Sequence, residues 1–361
     1  MILKIGCRKN KMDKKEILVE KIKNFNPNEN GLRDHGVFGL PFGKEESKIV
    51  LVPIPWEATV SYHGGTSDGP KAILDASQQI DLYNHLNPDG WKEGIAMQDI
   101  PTDILYENKY TKEKVSKYMD KYGEGEIDKD LQIEIDNACI SLNNYVKDVT
   151  SNFLKEDKIV GVIGGDHSVP LGYLQALSEK YESFGVLHID AHSDLRESYQ
   201  GLTYSHASIF YNVLQIKNVK KLVQVGIRDI SPIENELINS IEGKDRITVF
   251  MDSEIKKNIF KGSTWSKQCD KIIKNLPQNV YISFDIDGLM PNLCPNSGTP
   301  VPGGFSIEEV TFLFEKVISS GRKIIGFDLC EVSPGKDNQW DGNVGSRILY
   351  NLSLATLKSQ K

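Results

Sequence analysis

Four short apolar runs of this chain each lead directly into acidic or imidazole side chains, and this pattern restricts the possible folds more than any other feature. Continuous apolar runs are typical of strands that are buried on both faces of a parallel sheet. Helix-like segments separate them, as in an α/β domain. The sequence therefore predicts an α/β fold with three layers, α/β/α, around a mostly parallel central sheet. The runs are KIVGVIGG at 158–165, FGVLHID at 184–190, VYISFDI at 280–286 and KIIGFDL at 323–329.

The same alternation predicts how most of the chain is organised. We expect residues 1–45, which are polar and rich in Lys and Asn, to form an N-terminal extension, with a short amphipathic helix at 18–25. Residues 46–361 are expected to form a single domain, in which 84–130 is a polar stretch. Three further strands are expected at 48–55, 221–227 and 247–251, and helices at 69–80, 131–154, 168–181 (with Ser168 as N-cap) and 341–358.

The composition excludes several classes of protein. The 361 residues carry a formal net charge of -7, which would repel a nucleic-acid backbone, and no basic run accompanies stacking aromatic residues. No window approaches about 18 consecutive apolar residues, so we expect neither a membrane span nor a secretory signal. The cysteines form no CxxC pair, which indicates reduced thiols and a cytoplasmic location. They are Cys7, Cys139, Cys269, Cys294 and Cys330.

The polar residues that follow the four runs predict a metal site. The carboxyl ends of parallel strands share one edge of the sheet, so side chains from different strands meet in one crevice. Two imidazoles and four aspartates, with no thiolate, suit Mn²⁺ better than a structural zinc, with Ni²⁺, Co²⁺ and Fe²⁺ as alternatives. Six ligands fit two divalent ions, which together activate water for hydrolysis. The six are His167, Asp190, His192, Asp194, Asp285 and Asp287, and Glu331 follows the last run.

Three of these segments resemble the signatures of the ureohydrolase family, which contains arginase, agmatinase, formimidoylglutamase and guanidine hydrolase. The segments are GGDHS, DAHSD and SFDIDG followed by GTPVPGG, and the resemblance covers residues 48–358. It implies an arginase-like fold and two metal ions. One ion would be held by His167, Asp190, Asp194 and Asp285. The other would be held by His192, Asp190, Asp285 and Asp287, so that Asp190 and Asp285 bridge the two.

The resemblance also implies roles in catalysis. His206 in TYSHAS matches a histidine that shuttles protons to the leaving amine, and Glu331 in FDLCEVSP matches a glutamate that grips the substrate guanidinium. In the implied reaction, a hydroxide held by the two ions would attack the guanidinium carbon, Asp287 would pass on a proton, and urea would leave with an amine or ammonia. The expected substrate is a small cationic guanidino compound, agmatine-like or guanidine itself. Family members form homotrimers or homohexamers, which we also expect here.

Departures from the family pattern leave the substrate open. Arginases carry a small amide residue shortly after the second signature that helps recognise the substrate carboxylate, and here Arg196 and Glu197 lie nearby. Ser231 lies where arginases tend to have an aspartate that recognises the α-amino group. Arg196 is instead similar to an arginine of formimidoylglutamases. Met290 stands where an acidic residue usually precedes the proline of the third signature. The alternatives are therefore formimidoylglutamase or arginase activity, or a catalytically silent member that acts as a regulatory or assembly subunit.

Four other polar residues near the motifs receive supporting roles. His188 precedes the second signature and matches no family ligand, so we interpret it as a satisfied buried histidine that supports the site. His63 either lines the mouth of the site or caps a turn. Asp166 and Asp328 are expected to orient the metal ligands or to cap the backbone.

Overall fold

A single sheet of eight parallel strands forms the centre of this computed structural model, which describes residues 13–29, 35–60 and 63–361. All seven predicted strands are present, within two residues of their expected bounds. In chain order the strands are β1 (Ile49–Ile54), β2 (Ile95–Met97), β3 (Ile159–Gly164), β4 (Phe184–Ile189), β5 (Val219–Ile227), β6 (Ile247–Met251), β7 (Asn279–Asp285) and β8 (Lys323–Cys330).

Helices cover both faces of this sheet and complete the predicted three-layer α/β/α architecture. In the described residues they are α1 (Lys14–Asn24), α2 (Gly69–Ser77), α3 (Thr102–Gly123), α4 (Lys129–Lys155), α5 (Leu171–Lys180), α6 (Ile209–Val213), α7 (Pro232–Asn239), α8 (Ile241–Arg246), α9 (Asp252–Phe260), α10 (Trp265–Ile273), α11 (Ile307–Ser319) and α12 (Trp340–Lys358).

Two hydrophobic cores lie on opposite faces of the sheet. Along β1, Ile49 and Leu51 belong to one core, whereas Val50 and Val52 belong to the other, because successive side chains of a strand point to opposite faces. The first core is closed by α2, α10, α11 and α12, and the second by α3, α4, α5 and α6. Burial on both faces explains why the strands are continuously apolar in sequence.

The order of the strands brings the signature segments together. Across the sheet the order is β2-β1-β3-β8-β7-β4-β5-β6, so β3, β8, β7 and β4 are direct neighbours. These four strands are the ones that precede the predicted ligands and Glu331. The chain passes from β3 to β4 before β7 and β8 fill the space between them, and such a topological switch point is where α/β sheets bind ligands at their carboxyl edge.

One local prediction is corrected by the structure, and one stretch contains elements that were not predicted. Helix α5 begins at Leu171 behind Pro170, so Ser168 is not its N-cap. Instead, Ser168 donates from its backbone N–H and its hydroxyl to the carboxylate of Asp166, which closes a turn ahead of the helix. The polar stretch 84–130 contains β2 and the 22-residue helix α3.

The N-terminal segment contains the predicted helix, α1. Its side chains Leu18 and Ile22, with Phe25 just beyond it, pack against the core that α12 closes. The proposed boundary between an extension at 1–45 and the remaining domain stays a prediction. None of the helices in the described part of the chain combines the length and apolar character needed to span a bilayer.

Candidate metal centre

The first group of predicted ligands surrounds the imidazole of His167, which follows β3. Its Nδ1 lies 3.1 Å from Asp190 Oδ2, 3.5 Å from Asp194 Oδ2 and 3.3 Å from Asp285 Oδ2. All four side chains are buried, with residue exposures from 0% to 8%. Three carboxylate oxygens, from residues that follow or end β4 and β7, therefore lie within 3.5 Å of one His167 nitrogen. That these four residues hold one ion stays a prediction.

The second group lies beside the first and shares Asp190 with it. His192 Nδ1 is 3.5 Å from Asp190 Oδ1 and 3.2 Å from Asp287 Oδ2. Asp190 thus presents one oxygen to each group, which is the arrangement expected of a bridging carboxylate. Asp285, the second predicted bridge, faces His167 through Oδ2, while its Oδ1 accepts the backbone N–H of Asp287 at 2.8 Å. The bridging roles remain predictions.

Close backbone contacts hold the first signature in place. Gly165 and Asp166 follow β3 and donate to the carbonyls of Ile54 and Trp56, at 3.0 and 2.7 Å. A Cβ atom on Gly165 would lie 1.9 Å from the Trp56 carbonyl oxygen, so only glycine fits there. Gly164 and Gly165 therefore allow this segment to pack directly against the backbone that follows β1, and His167 is directed toward β4.

Two residues of the site adopt the left-handed backbone conformation, which is uncommon outside glycine. Asp194 has φ 52° and Glu331 has φ 63°. Glu331 is held there by two bonds, since its N–H donates to the Gly165 carbonyl at 2.8 Å and its Oε1 accepts the His167 N–H at 2.9 Å. Backbone strain of this kind persists where surrounding contacts impose it, typically at functional sites.

A hydrogen-bond chain determines which nitrogen of His167 is free. The hydroxyl of Ser283 donates to Asp328 Oδ2 at 2.7 Å, which uses its only proton. Ser283 Oγ must then accept from His167 Nε2, 2.9 Å away. The lone pair of the neutral imidazole is therefore on Nδ1 and faces the three aspartates. This is the tautomer that a metal ligand requires, and it gives Asp328 the orienting role predicted for it.

The charges of the site also fit bound cations. Burial, reinforced by neighbouring carboxylates, raises the pKa of Asp194 and of Asp285 well above the ordinary value. Burial opposes protonation of His167 and His192, but the adjacent aspartates outweigh it and raise both imidazole pKa values. Without cations the cluster therefore retains protons. Divalent ions would replace those protons and relieve the repulsion between carboxylates, so the residues present fit a metal centre.

A cavity of about 170 Å³ opens over the two groups. His206, Glu331, Arg196 and Ser231 all line it, so the structure brings the predicted substrate-binding residues around one opening. His206 Nδ1 lies 3.3 Å from Ser205 Oγ. Burial lowers the pKa of His206 to about 4, and nearby His192 adds to the effect, so the imidazole is neutral at pH 7.

Arg196 and Ser231 share one partner at the mouth of this cavity, Glu234. Arg196 Nε lies 4.0 Å from Glu234 Oε2, and its guanidinium is 5.0 Å from the ring centroid of Tyr199. Ser231 donates from its backbone N–H and its hydroxyl to Glu234 Oε2, at 2.9 and 2.6 Å, in a capping box that begins α7. Direct contact of Arg196 or Ser231 with substrate stays a prediction.

Sequence reasoning missed Tyr199, Asp229 and Glu234, which also line the cavity. A signal for Glu234 was present, because Ser231 followed three residues later by Glu is a capping-box pattern. Asp229 is exposed and lines both this cavity and an adjoining one. No local pattern identifies Tyr199.

The remaining predicted residues occupy distinct positions. His63 lines the adjoining cavity with His192 and Asp229, which places it at the mouth. Asp166 binds the Ser168 backbone, as predicted for a capping role, and burial raises its pKa to about 6. The backbone N–H of Met290 donates to the Phe305 carbonyl at 2.9 Å, next to the bridge between Leu289 and Phe305. This contact uses no side-chain atom of Met290, so it does not require an acidic residue there.

Comparisons with known proteins agree with this geometry. A model of the Arginase family matches residues 47–354. An N(1)-aminopropylagmatine ureohydrolase from Thermus thermophilus is 31% identical over 317 residues, which cover 87% of this chain and 92% of that protein. An agmatinase from Bacillus cereus is 28% identical over 294 residues, covering 81% and 86%.

Solved structures support the same fold. The agmatine ureohydrolase of Thermoplasma volcanium superposes with a TM-score of 0.67 at 24% identity, covering 94% of this chain and 98% of the other. The family match and the ureohydrolase relatives extend over most of the chain, and both groups of candidate metal ligands lie within the matched segment. This chain therefore belongs to the arginase family.

Proposed function

We propose that this protein hydrolyses a guanidino compound of the agmatine type with two divalent metal ions, Mn²⁺ in preference to Ni²⁺, and releases urea and an amine. The observation that carries the proposal is the pair of ligand groups, one around His167 and one around His192, which share Asp190 through separate oxygens. When bound, two ions supply Lewis acidity and a water that is deprotonated near neutral pH.

Glu331 is the residue that we assign to the guanidinium group. Its carboxylate lines the cavity and is anchored by the backbone N–H of His167. Burial, together with Asp285 and Asp166, raises the Glu331 pKa well above the ordinary value. A guanidinium ion beside it would favour the ionised carboxylate and form parallel charge-assisted hydrogen bonds with it. The group thus suits a cationic substrate better than a neutral one.

His206 and Asp287 are the groups that we assign to proton transfer. Asp287 Oδ2 lies 3.2 Å from His192 Nδ1, and the residue is almost fully buried, so its carboxylate is shielded from bulk water. His206 is neutral at pH 7 and lines the cavity, so it can take up a proton and deliver it to the departing amine.

The mouth of the cavity favours a substrate whose tail is also cationic. Asp229 and Glu234 place two carboxylates there, and the positive charge of Arg196 is opposed by Glu234 and the face of Tyr199. Two relatives are named agmatinase and N(1)-aminopropylagmatine ureohydrolase, and the substrate in each name has an amine tail. Agmatine or its aminopropyl derivative is therefore the first candidate substrate.

A second candidate rests on Arg196. Its guanidinium lies in the cavity wall, where it can meet a substrate carboxylate if Glu234 releases it. This arrangement favours N-formimidoylglutamate, whose hydrolysis would release formamide instead of urea. Free guanidine needs none of the contacts at the mouth and is the smallest substrate that the same centre can hold.

A substrate panel tests these assignments. Full-length protein loaded with Mn²⁺ or Ni²⁺ is assayed with agmatine, N(1)-aminopropylagmatine, guanidine, arginine and N-formimidoylglutamate. We expect urea from an agmatine-type substrate. Formamide from N-formimidoylglutamate alone would replace the proposal with the second candidate. Absence of turnover on the whole panel, despite two bound ions per chain, would favour a catalytically silent family member.

A further inference from the structure

Four polar side chains cross the buried centre of the sheet in one row, directly beneath the metal-ligating residues. Gln224 on β5 is paired in register with His188 on β4, His188 with Ser283 on β7, and Ser283 with Asp328 on β8. All four residues are fully buried, at 0% exposure. Polar groups at such positions are retained only when they are hydrogen-bonded. The half of the row that contains Ser283 and Asp328 orients His167. The other half contains His188, which the sequence indicates only as a buried histidine that supports the site.

The orientation of the Gln224 side chain follows from its two contacts with Ser193. Its amide nitrogen lies 2.6 Å from the Ser193 carbonyl oxygen, which can only accept, so this nitrogen is the donor. Its amide oxygen accepts the Ser193 hydroxyl at 2.7 Å. The second hydrogen of the amide nitrogen then points to His188 Nδ1, 2.9 Å away. His188 Nδ1 is therefore an acceptor and carries no proton.

This orientation determines what His188 can do at its other nitrogen. A neutral imidazole that accepts at Nδ1 carries its proton on Nε2. His188 Nε2 lies 2.7 Å from Asp190 Oδ2, so it donates to the carboxylate that the two ligand groups share. The His188 ring is also held at a centroid distance of 3.9 Å from the ring of Phe210. Both ring nitrogens of His188 are therefore engaged, Nδ1 by Gln224 and Nε2 by Asp190, and neither offers a lone pair for a cation.

We propose that His188, locked in its Nε2–H tautomer by Gln224, is a positioning residue that orients the bridging carboxylate Asp190 for both metal ions and is not itself a ligand. Asp190 Oδ2 would accept a hydrogen bond from His188 Nε2–H on one side and would face the first ion on the other. Asp190 Oδ1 accepts the His192 backbone N–H at 2.6 Å and faces the second group. With both oxygens held, the carboxylate cannot rotate away from either ion.

The competing reading is that His188 is a metal ligand. His167, His188, Asp190 and Asp194 place ligand atoms within 4.8 Å of one another, so distance alone does not distinguish the two roles. The position of the His188 proton does. A ligand needs an unprotonated Nε2, whereas an orienting donor needs a protonated one.

The proposal rests on the proposed function only in assuming that Asp190 binds both ions, so its test uses no substrate. Full-length protein, labelled with ¹⁵N at histidine and loaded with diamagnetic Zn²⁺, is studied by NMR spectroscopy, and the H188Q variant assigns the resonance. We expect His188 to show a protonated Nε2 and an unprotonated Nδ1. An unprotonated Nε2 would overturn the proposal.

Titration calorimetry with Mn²⁺ supplies the second readout. H188F removes the donor and keeps a ring of similar size, so we expect affinity for Mn²⁺ to fall by about 10- to 100-fold, as for other residues that orient metal ligands. H188Q places an amide N–H near the former Nε2 position and should restore most of that affinity. Val186→Ala, a fully buried site two residues earlier on β4, is the matched control.

These variants separate positioning from packing. V186A should lower the melting temperature and leave Mn²⁺ affinity unchanged, because it removes methyl groups and no polar contact. Unchanged Mn²⁺ affinity in H188F, or an equal loss in H188F and H188Q, would overturn the proposal. If H188F does not fold, the NMR result and H188Q decide the matter. A substrate panel without turnover would leave both readouts intact, so failure of the proposed function is recognised separately.

Discussion

The metal centre and the mouth of the cavity are built in different ways. At the centre, His167, Asp190 and Asp285 lie at the carboxyl ends of β3, β4 and β7, are nearly inaccessible and are each held by hydrogen bonds. At the mouth, the Arg196 side chain is 36% exposed, and Ser231 is the N-cap residue between a loop and the short helix α7. A strand end allows little movement, whereas loops vary without disturbing the sheet. We therefore expect the sheet to determine the chemistry and the loops to determine the choice of substrate.

Replacing the shared aspartate should break the centre altogether. In D190N one bridging carboxylate becomes an amide, which supplies less charge to both ions and disturbs the donor from His188. We expect loss of at least one ion, measured by elemental analysis, and loss of activity by more than about a thousandfold, beyond the effect of removing one hydrogen-bond donor. Asp75→Asn, on the exposed face of α2, is the control. Two ions retained in D190N would refute the bridging role.

Removing His206 should slow the reaction without disturbing the metals. Its side chain lines the cavity and is not among the groups that converge on either ion position. H206A should lower kcat by about 10²- to 10⁴-fold, the usual contribution of a general acid or base. The metal content should match that of the unchanged protein. His85→Ala, at an exposed histidine, serves as control. A loss of metal in H206A would instead show that His206 helps to hold the ions.

The affinity for Mn²⁺ should depend on pH because of the buried carboxylates of the centre, and not because of the residues at the mouth of the cavity. Burial raises the pKa of Asp194 and Asp285, so the metal-free protein holds protons that Mn²⁺ must displace. Lowering the pH below neutrality therefore weakens binding, by about tenfold per pH unit for each proton displaced. Calorimetry in buffers of different ionisation enthalpy counts those protons.

A substitution at the mouth is the control for this count. Arg196→Gln should leave the number of released protons unchanged, because Arg196 contacts Glu234 and Tyr199 and none of the metal-ligating groups. A count that changes in R196Q, or binding of Mn²⁺ without proton release, would contradict the separation of centre and mouth.

The features of the centre could be predicted from the sequence more completely than the contacts that depend on the tertiary fold. The strands and their polar ends were visible because buried strands read as apolar runs and the ligands follow them directly. Gln224 was not recognised, because its role depends on its register with β4 and on a contact with Ser193, which lies 31 residues away in sequence. Helix α3 was missed because its buried face includes Asn108 and Thr111, which interrupt the apolar periodicity. Asn108 is instead satisfied by the Glu57 backbone N–H.

Ser231 connects the mouth of the cavity with the stability of the fold, because it both lines the cavity and caps helix α7. As a cap it resembles Ser306, which forms a capping box with Glu309 at the start of α11. Replacing either serine by alanine should cost about 1 kcal/mol of folding stability, measured by chemical denaturation. If Ser231 also contacts the substrate, S231A alone should raise KM.

The matched pair separates two effects that a single variant would mix. Loss of the Ser231 hydroxyl also frees one contact of Glu234 Oε2, which can then move closer to Arg196. A stronger Glu234–Arg196 pair would make the mouth less attractive to a substrate carboxylate. S231A should therefore discriminate further against N-formimidoylglutamate than against agmatine, whereas S306A should treat the two alike. Equal KM values in both variants would reduce Ser231 to a helix cap and leave specificity to Asp229 and Glu234.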